Sequence, residues 1–206
     1  MCGSEKLPSW AQRDVVRHIF TAAAGLGGEA RIVGGAVRDW LAGRAVGDID
    51  MAVNLPIHAI ADRLRQIQHI EVINTGLAHG TVTVVDATQS IELTQTRSDV
   101  ATDGRRAVVE FQDDWAADAA RRDFNINALY LDAEGRLFDP LGGQADLAAQ
   151  RLRCVGRATD RVQEDALRMI RYCRFSIDYN GAQYDQEAVE ALRGFAPLAA
   201  SLSGER

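Results

Sequence analysis

Two aspartates one residue apart, Asp48 and Asp50, follow shortly after a glycine pair, Gly34-Gly35, and an arginine, Arg38. Paired glycines let a backbone turn tightly and approach a ligand closely. The unpaired amides of a helix starting at Ala36 and running to Leu41 suit a phosphate, and Arg38, one turn in, adds a charge-assisted bond to the same anion. In Asp48-Ile49-Asp50-Met51-Ala52-Val53, strand alternation sends Asp48 and Asp50 to one face and Ile49, Met51 and Val53 to the other. Like charges held that close repel unless a cation lies between them, and hard oxygen ligands point to magnesium (Mg2+) rather than zinc. The chemistry this suggests is two-metal phosphoryl transfer. Taken singly, Gly-Gly is a common strand end and Asp-x-Asp a common strand cap; it is their order and joint spacing that favour a site.

A third carboxylate stands in Ile91-Glu92-Leu93-Thr94, where Glu92 projects to the face opposite its apolar neighbours. It reads equally well as a further metal ligand or as an exposed strand glutamate. Downstream, Asp165 and Arg168 lie three residues apart on a predicted helix, one offering acceptors and the other donors. Such a pair imitates the edge of a base and can choose a nucleotide without a template. An intrahelical salt bridge accounts for the same spacing.

The elements that must position these groups follow from periodicity. Ser9 caps a predicted helix from Trp10 to about Ala24, and Pro56 opens another to about Ile67. Strands are expected at Ile70 to Ile73, Thr81 to Val85 and Ile91 to Thr96. Ser98 to Arg106 is polar, contains glycine and lacks periodicity, so it reads as a mobile loop. A helix from Asp113, capped by Asp113 or Asp114, reaches Arg121-Arg122-Asp123. Asp139-Pro140-Leu141-Gly142-Gly143 marks a bend and possible hinge. Helices then run from Gln144 to Gln150, from Ala158 to about Ile177, and from Asp185 towards Gly194. In the second of these, Ala166, Leu167, Ile170, Cys173 and Ile177 form the expected apolar face; Arg174 falls within that arc, to be either buried with a partner or folded out along its stem.

With 206 residues, 47% of them hydrophobic, the chain can bury a core as one domain and part of a second. A net charge of −6 excludes a uniformly basic nucleic-acid surface and leaves a local patch, for which the seven arginines from Arg151 to Arg174 are the candidates. Three cysteines without CxxC spacing support neither a disulfide framework nor a zinc site. No apolar run has membrane-spanning length and the start lacks the pattern of a signal peptide, so a cytoplasmic protein without membrane contact is expected.

GGAVRDWLAGRAVGDID resembles the signature of the class II tRNA nucleotidyltransferase (CCA-adding) and bacterial poly(A) polymerase family, within the polymerase-beta-type nucleotidyltransferases. RRDFNINALY resembles that family's RRDxxxNA motif, DPLGG its DPxGG element, and EDALRMIRYCRF its EDxxR motif with the arginine-rich helix that follows. The resemblance runs from about Arg31 to Arg174. It implies an α+β fold: a catalytic head with a small mixed sheet over residues 1–140, and the start of a helical neck over residues 141–206. It implies Asp48, Asp50 and Glu92 as metal ligands, and Gly34, Gly35, Arg38, Arg122, Asp123 and Asn127 as a cradle for sugar and triphosphate. Asp165 and Arg168 would read cytosine or adenine, with Arg171 and Arg174 beside them; Arg121 is as well explained by a helix-end salt bridge. The implied partners are CTP, ATP and the tRNA 3′ end, and the implied reactions are CCA addition or, in the same family, poly(A) synthesis. Relatives continue into a helical body and tail that grip tRNA, so a catalytically silent RNA-binding module is a third reading.

Overall fold

The computed structural model describes residues 7–102, 107–111, 113–179, 181 and 184–201. Its centre is a mixed sheet of seven strands in the order β3-β4-β5-β2-β1-β8-β9. These are β1 (Ala30–Val33), β2 (Asp50–Val53), β3 (Glu71–Gly76), β4 (Thr81–Val85), β5 (Ser90–Gln95), β8 (Tyr130–Leu131) and β9 (Leu137–Phe138). Every pairing is antiparallel except β2 with β5, which run parallel. The helices are α1 (Asp14–Gly25), α2 (Gly35–Leu41), α3 (Ile57–Arg65), α4 (Trp115–Ala120), α5 (Gly143–Ala148), α6 (Ala158–Glu164), α7 (Leu167–Tyr179) and α8 (Gln186–Phe195). The expected α+β class and mixed sheet are what the chain adopts.

Alternation along the strands divides the core in two. Ile32, Met51, Val53, Val82, Val84, Ile91 and Leu93 face α1 and α3, which bury Val15, Ile19, Ile60 and Leu64 against them. Val33 and Ala52 look the other way, into a smaller cluster with Trp115, Ala119, Ala128 and Tyr130. A third cluster joins Phe124, Ile126 and Leu152 to Tyr172, Phe175, Tyr179, Ala188 and Ala191, tying α7 and α8 to the segment after α4. This packing crosses the expected head and neck boundary near residue 140.

Several local expectations are corrected. Ser9 caps no long helix: Ser9–Ala11 is a short 3-10 turn, and α1 begins at Asp14, whose carboxylate favours the positive helix start. The stretch read as a loop, Ser98 to Arg106, is strand through Thr102. There β6 (Arg97–Thr102) pairs with β7 (Ala107–Phe111), Arg97 opposite Phe111; residues 103–106 lie outside the described residues. Polar composition marks solvent exposure, but the ladder satisfies backbone groups whatever the side chains are.

The long helix expected from Ala158 to Ile177 is two helices broken at Asp165, which is extended at φ −153° and ψ 109°. Its carboxylate accepts from the Leu167 amide at 3.0 Å, so the aspartate starts α7 instead of continuing α6. The buried face of α7 is also not the aliphatic one. Met169, Tyr172, Phe175 and Tyr179 are buried, whereas Ile170 is 50% and Ile177 84% exposed. Two apolar arcs compete on this helix, and the aromatic one offers more area to bury against Phe124. Arg174 lies exposed, its guanidinium over the Phe175 ring at 4.9 Å, which is the folded-out alternative of the two expected.

Asp139 and Gly143 fix the bend before α5. The Asp139 carboxylate accepts from the amides of Gly143 at 2.7 Å and Gln144 at 2.9 Å. A Cβ on Gly143 would stand 2.2 Å from the Asn125 carbonyl oxygen, whereas one on Gly194, inside α8, meets nothing within 4 Å. Gly143→Ala should therefore destabilise by about 1 to 3 kcal/mol through overpacking, and Gly194→Ala should stabilise by up to about 1 kcal/mol through helix propensity. Urea denaturation of the two variants reads both signs.

Candidate active site

The parallel pairing of β2 with β5 places Asp50 directly opposite Glu92. Both project from the sheet face that carries Val33 and Ala52, because Met51, Ile91 and Leu93 fill the other. Asp48 precedes β2 rather than belonging to it, and exposed Asp48, buried Ile49 and accessible Asp50 keep the expected alternation. Burial against the cleft wall raises the Asp50 carboxyl above the ordinary aspartate range; the negative charges of Glu92 and Asp48 add to this and Arg122 opposes it. Among the described residues, no three acidic, imidazole or thiol groups stand close enough to hold a metal as they are. The donor chemistry nonetheless suits magnesium: two adjacent carboxylates on an accessible face repel each other, and a hard divalent cation relieves that repulsion.

The cleft over this face encloses about 210 Å3, with Asp50, Glu92, Thr94, Arg97, Arg121 and Arg122 in its walls. Gly34, at φ 70°, turns the chain from β1 into α2, and a Cβ there would meet the Arg122 guanidinium at 3.5 Å. That distance is ordinary contact, so it is the positive φ of the turn that calls for glycine, and the turn brings Arg122 beside a stretch far from it in sequence. Gly35 is the first residue of α2, under the Arg38 side chain.

Arg38 points inward. It is buried, forks onto Asp39 at 2.9 and 3.0 Å, and donates to the Asn127 side-chain oxygen at 2.6 Å. Asn127, also buried, donates to Asp123 at 3.0 Å, and Asp123 accepts from Arg171 at 2.7 and 2.6 Å. Four residues expected around a nucleotide are therefore bonded to one another, in a line from α2 to α7. Aromatic contacts extend that line: the Arg38 guanidinium lies 4.5 Å from the Tyr179 ring centre, and the Tyr179 hydroxyl donates to Asp39.

The side chains of Asp165 and Arg168 do not bond to each other, although the Arg168 amide donates to the Asp165 carbonyl at 3.0 Å. Asp165 caps α7, and Arg168 donates to Glu164 at 2.5 Å and to the carbonyl of Arg121 at 3.5 Å. Arg161 likewise donates to the Ala120 carbonyl at 2.7 Å, so two arginines of the C-terminal helices cap the negative end of α4. Sequence reasoning passed over Glu164, Asp39 and Asp118 as partners. Their spacings of three and four residues to Arg161, Arg168, Arg121 and Arg122 were visible signals for the first and last, and Asp39 had none.

Residues 30–153 match the model of the poly A polymerase head domain. The chain belongs to that family. Within and around this head domain, it is 42% identical over 181 residues to the Mus musculus protein "CCA tRNA nucleotidyltransferase 1, mitochondrial", covering 86% of this chain and 42% of that protein. It is also 42% identical over 182 residues to the CCA-adding enzyme of Geobacillus sp. (strain WCH70), covering 87% and 44%. The crystal structure of Bacillus stearothermophilus CCA-adding enzyme in complex with CTP superposes at a TM-score of 0.83 with 32% identity, over 96% of this chain and 46% of that one. A tRNA nucleotidyltransferase complexed with a primer tRNA and an incoming ATP analog superposes at 0.72 with 26% identity, over 88% and 50%. The chain thus spans less than half the length of the curated relatives it matches.

The strain at the head domain's acidic pair is testable by stability alone. A carboxyl whose folded pKa is raised favours the fold when protonated, and that contribution is lost as pH rises through the raised value. Asp50→Asn should raise the thermal midpoint in metal-free buffer at neutral pH. The gain should shrink as acidification protonates the parent's own Asp50, and magnesium should narrow it by stabilising the parent alone.

Proposed function

We propose that this chain is the catalytic head (residues 1–140) and the start of the neck (residues 141–206) of a CCA-adding tRNA nucleotidyltransferase. It transfers CMP and AMP from CTP and ATP to the tRNA 3′ end, and it works in the cytoplasm. The observation that carries the reading is the in-register pair Asp50 and Glu92 facing Arg121 and Arg122 across one cleft. Acidic oxygens opposite forked cations are what a nucleoside triphosphate with its counter-ions requires. The names of the mouse and Geobacillus relatives and the CTP complex of the Bacillus enzyme support the choice of reaction.

In mechanism, Asp48, Asp50 and Glu92 are the residues that would hold magnesium, which would supply Lewis-acid stabilisation of the attacking and leaving oxygens. Arg122 and Arg121 hold the triphosphate in line with the tRNA 3′-hydroxyl. The inward line of Arg38, Asn127, Asp123 and Arg171 fixes α7 relative to the sheet, so that the start of that helix stays at one distance from the acidic pair. Asp165 and Arg168 stand at that start and read the base edge, with Glu164 holding the Arg168 fork in one orientation. Arg174, exposed on α7, serves the nucleic acid rather than the fold. No helix of the described residues is long and apolar enough to cross a membrane, and a membrane partner is not part of this reading.

Poly(A) synthesis is the second reading, favoured by the description of the matching family. Product analysis separates the two. With tRNA lacking its 3′ end, magnesium and labelled CTP and ATP, CCA addition gives C and A incorporation ending after three residues, whereas a long run of A alone supports the polymerase. Asp50→Ala and Glu92→Gln should remove transfer in either case while calorimetry still detects the nucleotide. Arg168→Ala should lower the preference for CTP and ATP over UTP and GTP by about 1 to 3 kcal/mol, by analogy with bidentate base readout. Unchanged incorporation ratios would return Arg168 to a purely structural bond with Glu164.

A further inference from the structure

Asp118, on α4, is fully buried, yet its carboxylate meets the cleft wall through others. One oxygen accepts from Nε and Nη2 of Arg121 at 2.9 and 2.7 Å. The second accepts from Nη2 and Nε of Arg122 at 3.0 and 3.3 Å, and from the Tyr130 hydroxyl at 2.9 Å. The Tyr130 oxygen in turn accepts from Nε of Arg122 at 3.0 Å, which closes a ring of bonds around that arginine. Burial alone would push the Asp118 carboxyl up; Arg122 and Arg121 outweigh it and hold the group below the ordinary carboxylate range, so it stays ionised.

Charge counting gives this arrangement a direction. Two guanidiniums share one carboxylate, so a surplus positive charge is left at the wall that faces Asp50 and Glu92. Left to rotate, Arg122 would be drawn to the carboxylates of the acidic pair, whose Asp50 already feels its charge across the shared cleft. A salt bridge to Asp50 would close the cleft to anions and metal alike. We propose that Asp118 is a positioning residue that holds Arg121 and Arg122 away from Asp50 and Glu92, so that Nη1 of Arg121, and Nη1 of Arg122 on leaving its long 3.5 Å contact with the Asn127 carbonyl, serve the triphosphate, an inference that rests on the nucleotidyl-transfer reading of the cleft. Tyr130 assists by bonding both the carboxylate and Arg122.

A second aspartate of the same build supplies the control. Asp146 is also fully buried and also shared by two arginines, Arg151 and Arg153, with Asn125 as a further donor. Arg153 lines a different cavity, beside Cys154 and Asp185. A merely structural role predicts that Asp118→Asn and Asp146→Asn behave alike, because each removes a buried charge from between two cations.

The experiment is calorimetric titration of CTP, ATP and inorganic tripolyphosphate, each with magnesium, into the parent, Asp118→Asn, Tyr130→Phe and Asp146→Asn, with thermal midpoints recorded for all four. Asp118→Asn should weaken CTP, ATP and tripolyphosphate by the same factor, on the order of tenfold, because the lost contact is to phosphate and not to the base. Tyr130→Phe should shift all three in the same direction by a smaller factor, and Asp146→Asn should lower the midpoint while leaving the three affinities at the parent's values. Equal affinities in Asp118→Asn and the parent, or equal losses in Asp118→Asn and Asp146→Asn, overturn the positioning role. Should Asp118→Asn not fold, parent-like affinities in Tyr130→Phe overturn it instead. A parent that binds none of the three probes overturns the nucleotidyl-transfer reading, and this inference with it.

Discussion

The structure depends on the parallel register of β2 and β5, the one pairing in the seven-stranded sheet that is not antiparallel. That register sets Asp50 beside Glu92 with no side chain between them, an arrangement a fold driven by stability alone would avoid. The apolar side of the same two strands accounts for its persistence. Met51, Val53, Ile91 and Leu93 are buried under α1 and α3, and a slip of one residue would replace three of the four with polar neighbours and the fourth with the small Ala52. Hydrophobic burial on one face therefore holds a repulsive pair on the other. Strain stored in this way is characteristic of sites that await a cation.

The second constraint is the docking of the C-terminal helices on the sheet. An apolar cluster around Phe124 supplies the area, and directional bonds supply the register: Arg38 to Asn127, Asn127 to Asp123, Asp123 to Arg171, with Arg44 paired to Asp178 at the far end of α7. Buried polar groups satisfied throughout fix one geometry more sharply than apolar packing does. Residues from three separate motifs thus serve as connecting pieces. Their spacing in sequence carries the signature of the family, and their bonds show that part of the signature secures the relation between sheet and α7.

Much of this was legible in the sequence. Alternation around Asp50 and around Glu92 gave the face of each carboxylate, but left Glu92 open between ligand and exposed strand residue, and only the register of β2 with β5 sets the two opposite each other. The glycine turn at Gly34 was equally readable. Legibility failed where two local rules competed. At Asp165 a helix former's pattern met a residue that caps helices well, and the cap prevailed. On α7 an aliphatic and an aromatic arc overlapped, and only the presence of Phe124 and Ile126 decides between them. The strand at β6 was hidden because polar side chains on an outlying ladder carry no periodic signal. Asp118 and Glu164 were visible as helical neighbours of arginines, but the sequence does not say which neighbour faces a cleft.

The central claim is that Asp48, Asp50 and Glu92 together form a cation site beside the two arginines that follow α4. It is tested most directly by the anomalous scattering of manganese in crystals of the chain grown with a non-hydrolysable CTP analogue. The account predicts a manganese peak bonded to Asp50 with Asp48 or Glu92 among its ligands, and the triphosphate between that peak and the guanidiniums of Arg121 and Arg122. A peak bonded elsewhere, or a triphosphate seated away from the Asp50 and Glu92 face, would contradict it.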